Sequence, residues 1–311
     1  MELTVVIPVY NSQDTIGPLV ERVTEVLRMV QHEIILVNDG SRDGSEVVCE
    51  TLTRRFETVN LLSLRRNFGE FNAVFCGLRH ASGRFVVMID DDFQNPPEEI
   101  LKLYHAAETG GYDVVYSVYP RKRHNWVRNL GSWLANYLAI WLFDKPKNLY
   151  LSSFKLIRHE VVGEITQYRG PQPYLDALLL RVTQNIGQVE VAHLPRQRGK
   201  SGYTTGKLIS LFLAVALNYS PRPLRLISVI GLILLGLSLA VGIIELLTSV
   251  LTQHWPDVSH LTWILDLFRT GLELLGIGLL GEYIGRAFIL QSGFPQYVVK
   301  KAILKHDRTE Q

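Results

Sequence analysis

Cysteine is scarce in this chain, and charge of neither sign dominates it. Only Cys49 and Cys76 occur among 311 residues. That is too few for a disulfide framework, so both are expected to be reduced, structural thiols of a cytoplasmic region. The 32 Lys and Arg against 30 Asp and Glu leave a net charge of +2, which gives no ground for a nucleic-acid partner. No signal peptide is predicted ahead of Leu3, where a strand pattern starts at once. Lys and Arg are also missing from Gln253 to His260, between two long apolar segments.

Apolar residues are abundant: 47% of the chain, with a mean hydropathy of +0.11, is high for a soluble protein. Residues 226–251 are almost all apolar, with Glu245 the one charge. As a helix they would span about 39 Å, enough to cross a ~30 Å hydrocarbon core with tilt. A second segment runs over 261–290, interrupted by Asp266, Arg269 and Glu273. Their spacing of three and four allows one helix face and pairing, either at the membrane interface or as an ion pair at a helix contact. Arg222, Arg225, Arg286, Lys300 and Lys301 flank the outer ends, so the positive-inside rule puts both termini on the cytoplasmic side. Gly276, Gly278 and Gly281 match a dinucleotide fingerprint by letter but follow no strand. Gly281 and Gly285 read instead as a small-residue packing face.

The first half alternates strands and helices. Strand patterns cover Leu3–Pro8, Glu33–Val37, Asn60–Leu64, Val86–Ile89 and Tyr112–Ser117. Helical periodicity covers 12–30 (with Ser12 as a candidate cap), 45–55 and 70–81. Such alternation predicts an α/β fold with a mostly parallel sheet, whose ligands sit beyond the C-terminal strand ends. Tyr10-Asn11, Asp39-Gly40-Ser41 and Asp90-Asp91-Asp92 all fall there. Continued strand alternation would point Asp90 and Asp92 together and Asp91 away. Like charges about 4 Å apart repel by roughly 1 kcal/mol in water, so the cluster reads as a site for a hard divalent cation, Mg²⁺ or Mn²⁺, bridging to substrate phosphates.

Several strings now converge. VIPVYN (6–11), VNDGSRDGS (37–45), RNFGE (66–70) and DDDFQNPPEE (90–99) resemble the family 2 glycosyltransferases with the GT-A fold. The chain resembles more narrowly the polyprenyl-phosphate glycosyltransferases, which include dolichyl-phosphate mannose and undecaprenyl-phosphate sugar transferases. Arg196 with RGKSGY (198–203) is similar to that subfamily's Arg-x-x-Gly-x-Ser-x-Tyr motif, and LLGEYIGR (279–286) to its C-terminal membrane signature. The resemblance implies transfer of a sugar, with inversion, from a nucleotide diphosphate donor (most often a uridine one) to polyprenyl phosphate. It implies a nucleotide site of Pro8, Tyr10, Asn11, Asp39, Gly40, Ser41, Arg66, Asn67 and Asp90, with metal held by Asp90 and Asp92. Arg196, Arg198, Lys200, Ser201 and Tyr203 would meet the acceptor phosphate, with Lys207 nearby. An apolar face over 205–221 (Leu208, Ile209, Leu211, Phe212, Val215 and Ala216) would lie in the membrane interface. The stretch Trp126–Phe143 reads as a helix in the core or against the membrane.

Relatives often carry an Asp before Phe-Arg/Lys-Leu, where this chain has Ser152-Ser153-Phe154-Lys155-Leu156. A general base is therefore left open between Asp91 and Asp176. Asp91 stands where a small residue is usual, and Gly202 where Lys is common. The expected layout is a cytoplasmic GT-A domain over 1–204 and a juxtamembrane helix over 205–225. Two transmembrane helices over 226–290 and a cytoplasmic tail over 291–311 complete it, in a bacterial plasma-membrane enzyme whose homo-oligomerisation is left open. A processive polysaccharide synthase is disfavoured because no Gln-x-x-Arg-Trp string is present. A different acceptor, or a catalytically altered membrane scaffold, are the competing readings.

Overall fold

The computed structural model describes residues 1–119, 145–146, 148–170, 173–194, 259–291, 293 and 295–305, with scattered positions between 233 and 251. The predicted helix over 126–143, the interfacial segment over 205–221, most of 226–251 and the basic loop from Arg196 to Tyr203 lie outside these residues. The chain divides into two compact units, Met1–Gly202 with Phe294–Gln311, and Tyr203–Gly293.

The first unit is built on one eight-stranded sheet in the order β7-β5-β6-β4-β1-β2-β3-β8. Its centre is β1 (Leu3–Val9), β2 (His32–Asn38), β3 (Val59–Leu64) and β4 (Phe85–Met88). These pair in parallel, joined by α1 (Ile16–Val26), α2 (Ser45–Arg55) and α3 (Glu70–Arg79). Near-continuous Val, Ile and Leu suit strands covered on both faces, and β2, β3 and β4 are buried at every position. Ile16, Leu19, Val20 and Val23 bring α1 onto that core.

After α4 (Glu99–Gly110) and β5 (Val114–Val118) the topology changes. Strand β6 (Lys155–Arg158) enters antiparallel between β4 and β5, with Met88 opposite Lys155. Helices α5 (His159–Ile165) and α6 (Leu175–Val182) lead to the edge strand β7 (Ile186–Glu190). The opposite edge is closed from far along the chain. Strand β8 (Val299–Ile303) lies antiparallel to β3, within the stretch expected to be a tail. The Arg65 N–H donates to the Val298 carbonyl at 2.9 Å, and Arg79 reaches the Tyr297 hydroxyl at 3.3 Å.

Beneath this edge, at the end of the sheet remote from the strand C-termini, Glu33 is buried. It accepts from Thr4 Oγ1 (2.7 Å), Asn60 Nδ2 (2.9 Å), Ser82 N (2.8 Å) and Ser82 Oγ (2.7 Å). Asn60 Oδ1 in turn accepts the Lys305 N–H at 2.8 Å. Both cysteines are free and buried, and burial pushes their thiols up to about 12.

The described part of the second unit is dominated by α7 (Ser259–Gln291). Among the described residues no helix is long and apolar enough to cross a membrane. Asp266, Arg269 and Glu273 sit in the first half of α7, and Arg269 pairs with Glu273 at 3.4 Å, one turn on.

Candidate active site

Four chain segments meet at the end of the sheet where the parallel strands finish. Parallel β1, β2 and β4 deliver the residues that follow them. Antiparallel β6 delivers those that precede it. Continued strand alternation does not govern the acidic cluster, because β4 ends at Met88 and Asp91 and Asp92 already lie in a turn. Phe93, just beyond, has φ 59°, a costly conformation for a bulky side chain and one found mainly at functional loops.

Each aspartate has a different partner. Asp91 turns toward the first loop, where its Oδ2 accepts the Tyr10 N–H at 3.3 Å and the Ser12 hydroxyl. Ser12 therefore does not cap α1, whose cap residue is Thr15 with no side-chain bond. Asp90 Oδ2 accepts the Ser153 hydroxyl at 2.8 Å. Asp92 Oδ1 accepts the Gln94 N–H at 3.0 Å. Ser153, just ahead of Phe154-Lys155-Leu156, thus touches the acidic cluster directly.

The nucleotide-site candidates of the first two loops interlock. Asn11, at φ 54°, donates its N–H to Ser41 Oγ (3.1 Å) and accepts the Arg42 N–H (2.9 Å). Asp39 is buried and holds the next loop, accepting the Phe68 N–H at 2.7 Å and the Gly69 N–H at 2.9 Å. Burial raises its pKa against those two bonds. Gly40 has φ 62°, and a Cβ there would meet the Arg66 carbonyl carbon at 2.4 Å. Only glycine fits that turn against the 66–69 loop. Arg66 lies over the Phe68 ring at 4.7 Å. Pro8, in β1, lies beyond the Leu3–Val6 stretch that pairs with β4, so its missing N–H is not needed there.

Asp176 is differently placed. Its Oδ1 accepts both the Lys155 ammonium and the Tyr116 hydroxyl, the latter at 2.8 Å. Arg196, Arg198, Lys200, Ser201 and Tyr203, expected to meet the acceptor phosphate, lie outside the described residues. The segment leading to them is tied to the acidic loop, since the Leu194 N–H donates to the Gln94 carbonyl at 2.9 Å. Sequence reasoning missed Glu70, the first residue of α3. Solvent reaches its side chain, yet surrounding protein displaces bulk water and Asp90, Asp91 and Asp92 add like charge. Its pKa is pushed up to about 7. Its place in the RNFGE string at a helix start was the available signal.

Hard carboxylate oxygens suit Mg²⁺ or Mn²⁺. Among the described residues no group of three or more His, Cys, Asp and Glu is gathered into a closed cage. With Asp91 turned toward Ser12 and Tyr10, Asp90 and Asp92 are the carboxylates of this cluster whose chemistry suits such an ion.

Residues 4–166 match the family model described as glycosyl transferase family 2. The chain belongs to that family. This transferase is 33% identical over 308 residues to the undecaprenyl-phosphate 4-deoxy-4-formamido-L-arabinose transferase of Serratia proteamaculans (strain 568), covering 97% of this chain and 94% of that one. The enzyme of the same name from Edwardsiella ictaluri (strain 93-146) is 33% identical over 315 residues, covering 99% and 96%. A solved glucosyl-3-phosphoglycerate synthase from Mycobacterium tuberculosis, in complex with Mn²⁺, UDP-glucose and phosphoglyceric acid, matches with a TM-score of 0.52 at 21% identity. It covers 70% of this chain and 77% of that one. The same enzyme with Mg²⁺ and UDP gives 0.53 at 20%, over 70% and 77%. At such identity the likeness carries the fold, a GT-A α/β architecture.

The transferase's Asp91 yields a pH-dependent prediction. Burial first, then Asp90 and Asp92, push its carboxyl up to about 6 from an ordinary 3.8, against the bonds from Ser12 and Tyr10. The folded protein therefore holds that proton more tightly than the unfolded chain. Its contribution to stability is present below about pH 4 and is lost as pH rises through about 6. The ionised group then costs about 3 kcal/mol at pH 8. Asp91→Asn keeps an oxygen for both donors. In EDTA it should melt above wild type at pH 8 and level with it at pH 4, by thermal unfolding.

Proposed function

We propose that this transferase moves a sugar from a uridine diphosphate donor to undecaprenyl phosphate at the cytoplasmic face of a bacterial plasma membrane. One observation carries the reading. The match to enzymes named for undecaprenyl phosphate runs through 97% of this chain, so it includes the basic loop and the apolar segments beyond the catalytic domain. The solved enzymes of the same fold hold UDP with Mn²⁺ or Mg²⁺, which favours a uridine donor and a divalent metal.

In this reading the 66–69 loop, clamped by Asp39 and seated on Gly40, lies along the nucleoside with Pro8 and Tyr10. Asp90 and Asp92 face the diphosphate and would hold the metal. When bound, that ion offsets charge growing on the leaving diphosphate. An acceptor phosphate oxygen bonds to the anomeric carbon as the bond from that carbon to the diphosphate breaks, inverting the centre. Polyprenyl phosphate is already anionic near pH 7, so no strong base is required. That suits a site in which Asp176 is committed to Lys155 and Tyr116.

Membrane attachment is supported by the apolar run over 226–251, where Ile233, Ile243, Ile244, Leu247, Val250 and Leu251 are each more than half exposed. Both ends of the second unit connect to the first. In this reading the two predicted helices return the chain to the side of the membrane that it left.

Purified protein in lipid vesicles with UDP-sugars and undecaprenyl phosphate tests the reaction. Lipid-linked sugar detected by mass spectrometry is expected, and transfer only to a soluble acceptor would overturn it. Arg196→Ala or Arg198→Ala should raise the undecaprenyl phosphate requirement at least tenfold, about 1.4 kcal/mol, because charge-assisted bonds to phosphate are strong. UDP binding, followed by calorimetry, should stay within twofold.

A further inference from the structure

A second polar cluster lies behind the acidic loop, and the chemistry above leaves it unused. Lys155 opens β6 with its side chain 2% exposed, and its ammonium meets Asp176, itself 14% exposed. Asp176 also accepts the Tyr116 hydroxyl at 2.8 Å and is hydrogen-bonded to Tyr174. The Lys155 ammonium stands 4.8 Å from the Tyr116 ring centroid. The Tyr174 ring meets Phe71 edge-on at 5.7 Å, beside Glu70, and the Lys155 charge acts on the Glu70 carboxyl.

A buried pair of this kind is weak evidence of a purely stabilising role, because well-packed apolar residues often serve as well. Its place in the fold is more telling. Lys155 is opposite Met88, the last residue of β4 and two residues before Asp90. Two residues ahead of Lys155, Ser153 donates to Asp90 at 2.8 Å. Immediately before Ser153, Ser152 is buried and bonded to Ser117 (2.9 Å) and to the Phe154 carbonyl (2.8 Å). The turn that carries Ser153 is thus gripped at its far end by the ion pair.

We propose that Lys155 is a positioning residue for the transfer: held by Asp176 and Tyr116, it fixes the 152–155 turn so that Ser153 orients Asp90 toward the diphosphate. This rests on the proposed reaction for its catalytic readout and on the fold alone for its binding readout.

Full-length wild type is compared with Ser153→Ala, with the charge-neutral pair Lys155→Met/Asp176→Asn, and with all three changes together. Turnover, the KM for UDP-sugar, Mn²⁺ affinity in the presence of UDP, and melting temperature are measured. The pair should lower kcat about tenfold, weaken Mn²⁺ similarly and move KM by less than threefold. Ser153→Ala should reproduce those losses, and the triple variant should lose little more, since both act through one contact. Lys155→Arg should recover most of the activity. Multiplying losses in the triple variant, or wild-type kcat and Mn²⁺ affinity in the pair, would overturn the inference. If wild type makes no lipid-linked sugar, the acceptor assignment falls, and Mn²⁺ affinity alone decides the role of Lys155. Should the pair not fold, Tyr116→Phe, which removes one bond of the grip, is read in the same way with a threefold loss expected.

Discussion

Asp92→Asn should lower turnover at least a hundredfold, about 2.7 kcal/mol of activation free energy, while the protein unfolds no earlier than wild type. The two halves of that expectation have separate causes. Asn keeps an oxygen where Asp92 Oδ1 accepts the Gln94 N–H at 3.0 Å, so the turn keeps its bond. The mutual repulsion of three adjacent carboxylates falls at the same time. The charge that would meet a divalent ion opposite the diphosphate is lost, and nothing in the described loop replaces it in kind, because Asp91 faces Ser12 and Tyr10. Excess EDTA should stop wild type to the same extent. Full turnover in EDTA would remove the metal from the account.

Glu33→Ala should cost about 3–5 kcal/mol of stability, a large share of the 5–15 typical of a folded domain. The carboxylate meets four donors from Thr4, Asn60 and Ser82. An alanine leaves those donors facing a cavity, and each unsatisfied buried group costs about 1–3 kcal/mol. A fall of about 10 °C in melting temperature is expected for a domain of this size. UDP affinity of the protein still folded should be unchanged, since Glu33 is the second residue of β2 and the candidate site lies at the strand's far end. A shift of only a degree or two would mean that water replaces the carboxylate.

The central fold was legible because its signals are local. Strands β1 to β4 are short apolar runs, α2 has the predicted bounds of 45–55, and polar clusters close the strands where the parallel rule places a site. What stayed hidden depends on pairing between distant residues. An antiparallel β6 between β4 and β5 leaves no trace in the Lys155–Arg158 letters, and it alone explains why Ser153 reaches Asp90. β8 reads as an ordinary polar stretch, since Lys300 and Lys301 face outward on an edge. That Asp91 turns to Ser12 and Tyr10 comes from the turn after Met88 rather than from strand alternation, because the strand stops before the cluster.

The return of β8 to the β3 edge sets a timetable for biosynthesis. The catalytic sheet has its first seven strands once residue 190 is made, but its eighth waits for the whole of 203–293 to be translated. At about 5–20 residues per second that leaves β3 uncovered for roughly 5 to 20 seconds, with its row of backbone donors and acceptors open to other chains. A version trimmed to residues 1–202 would stay in that state permanently. Its expected failure is aggregation in the test tube rather than survival as a soluble, folded domain.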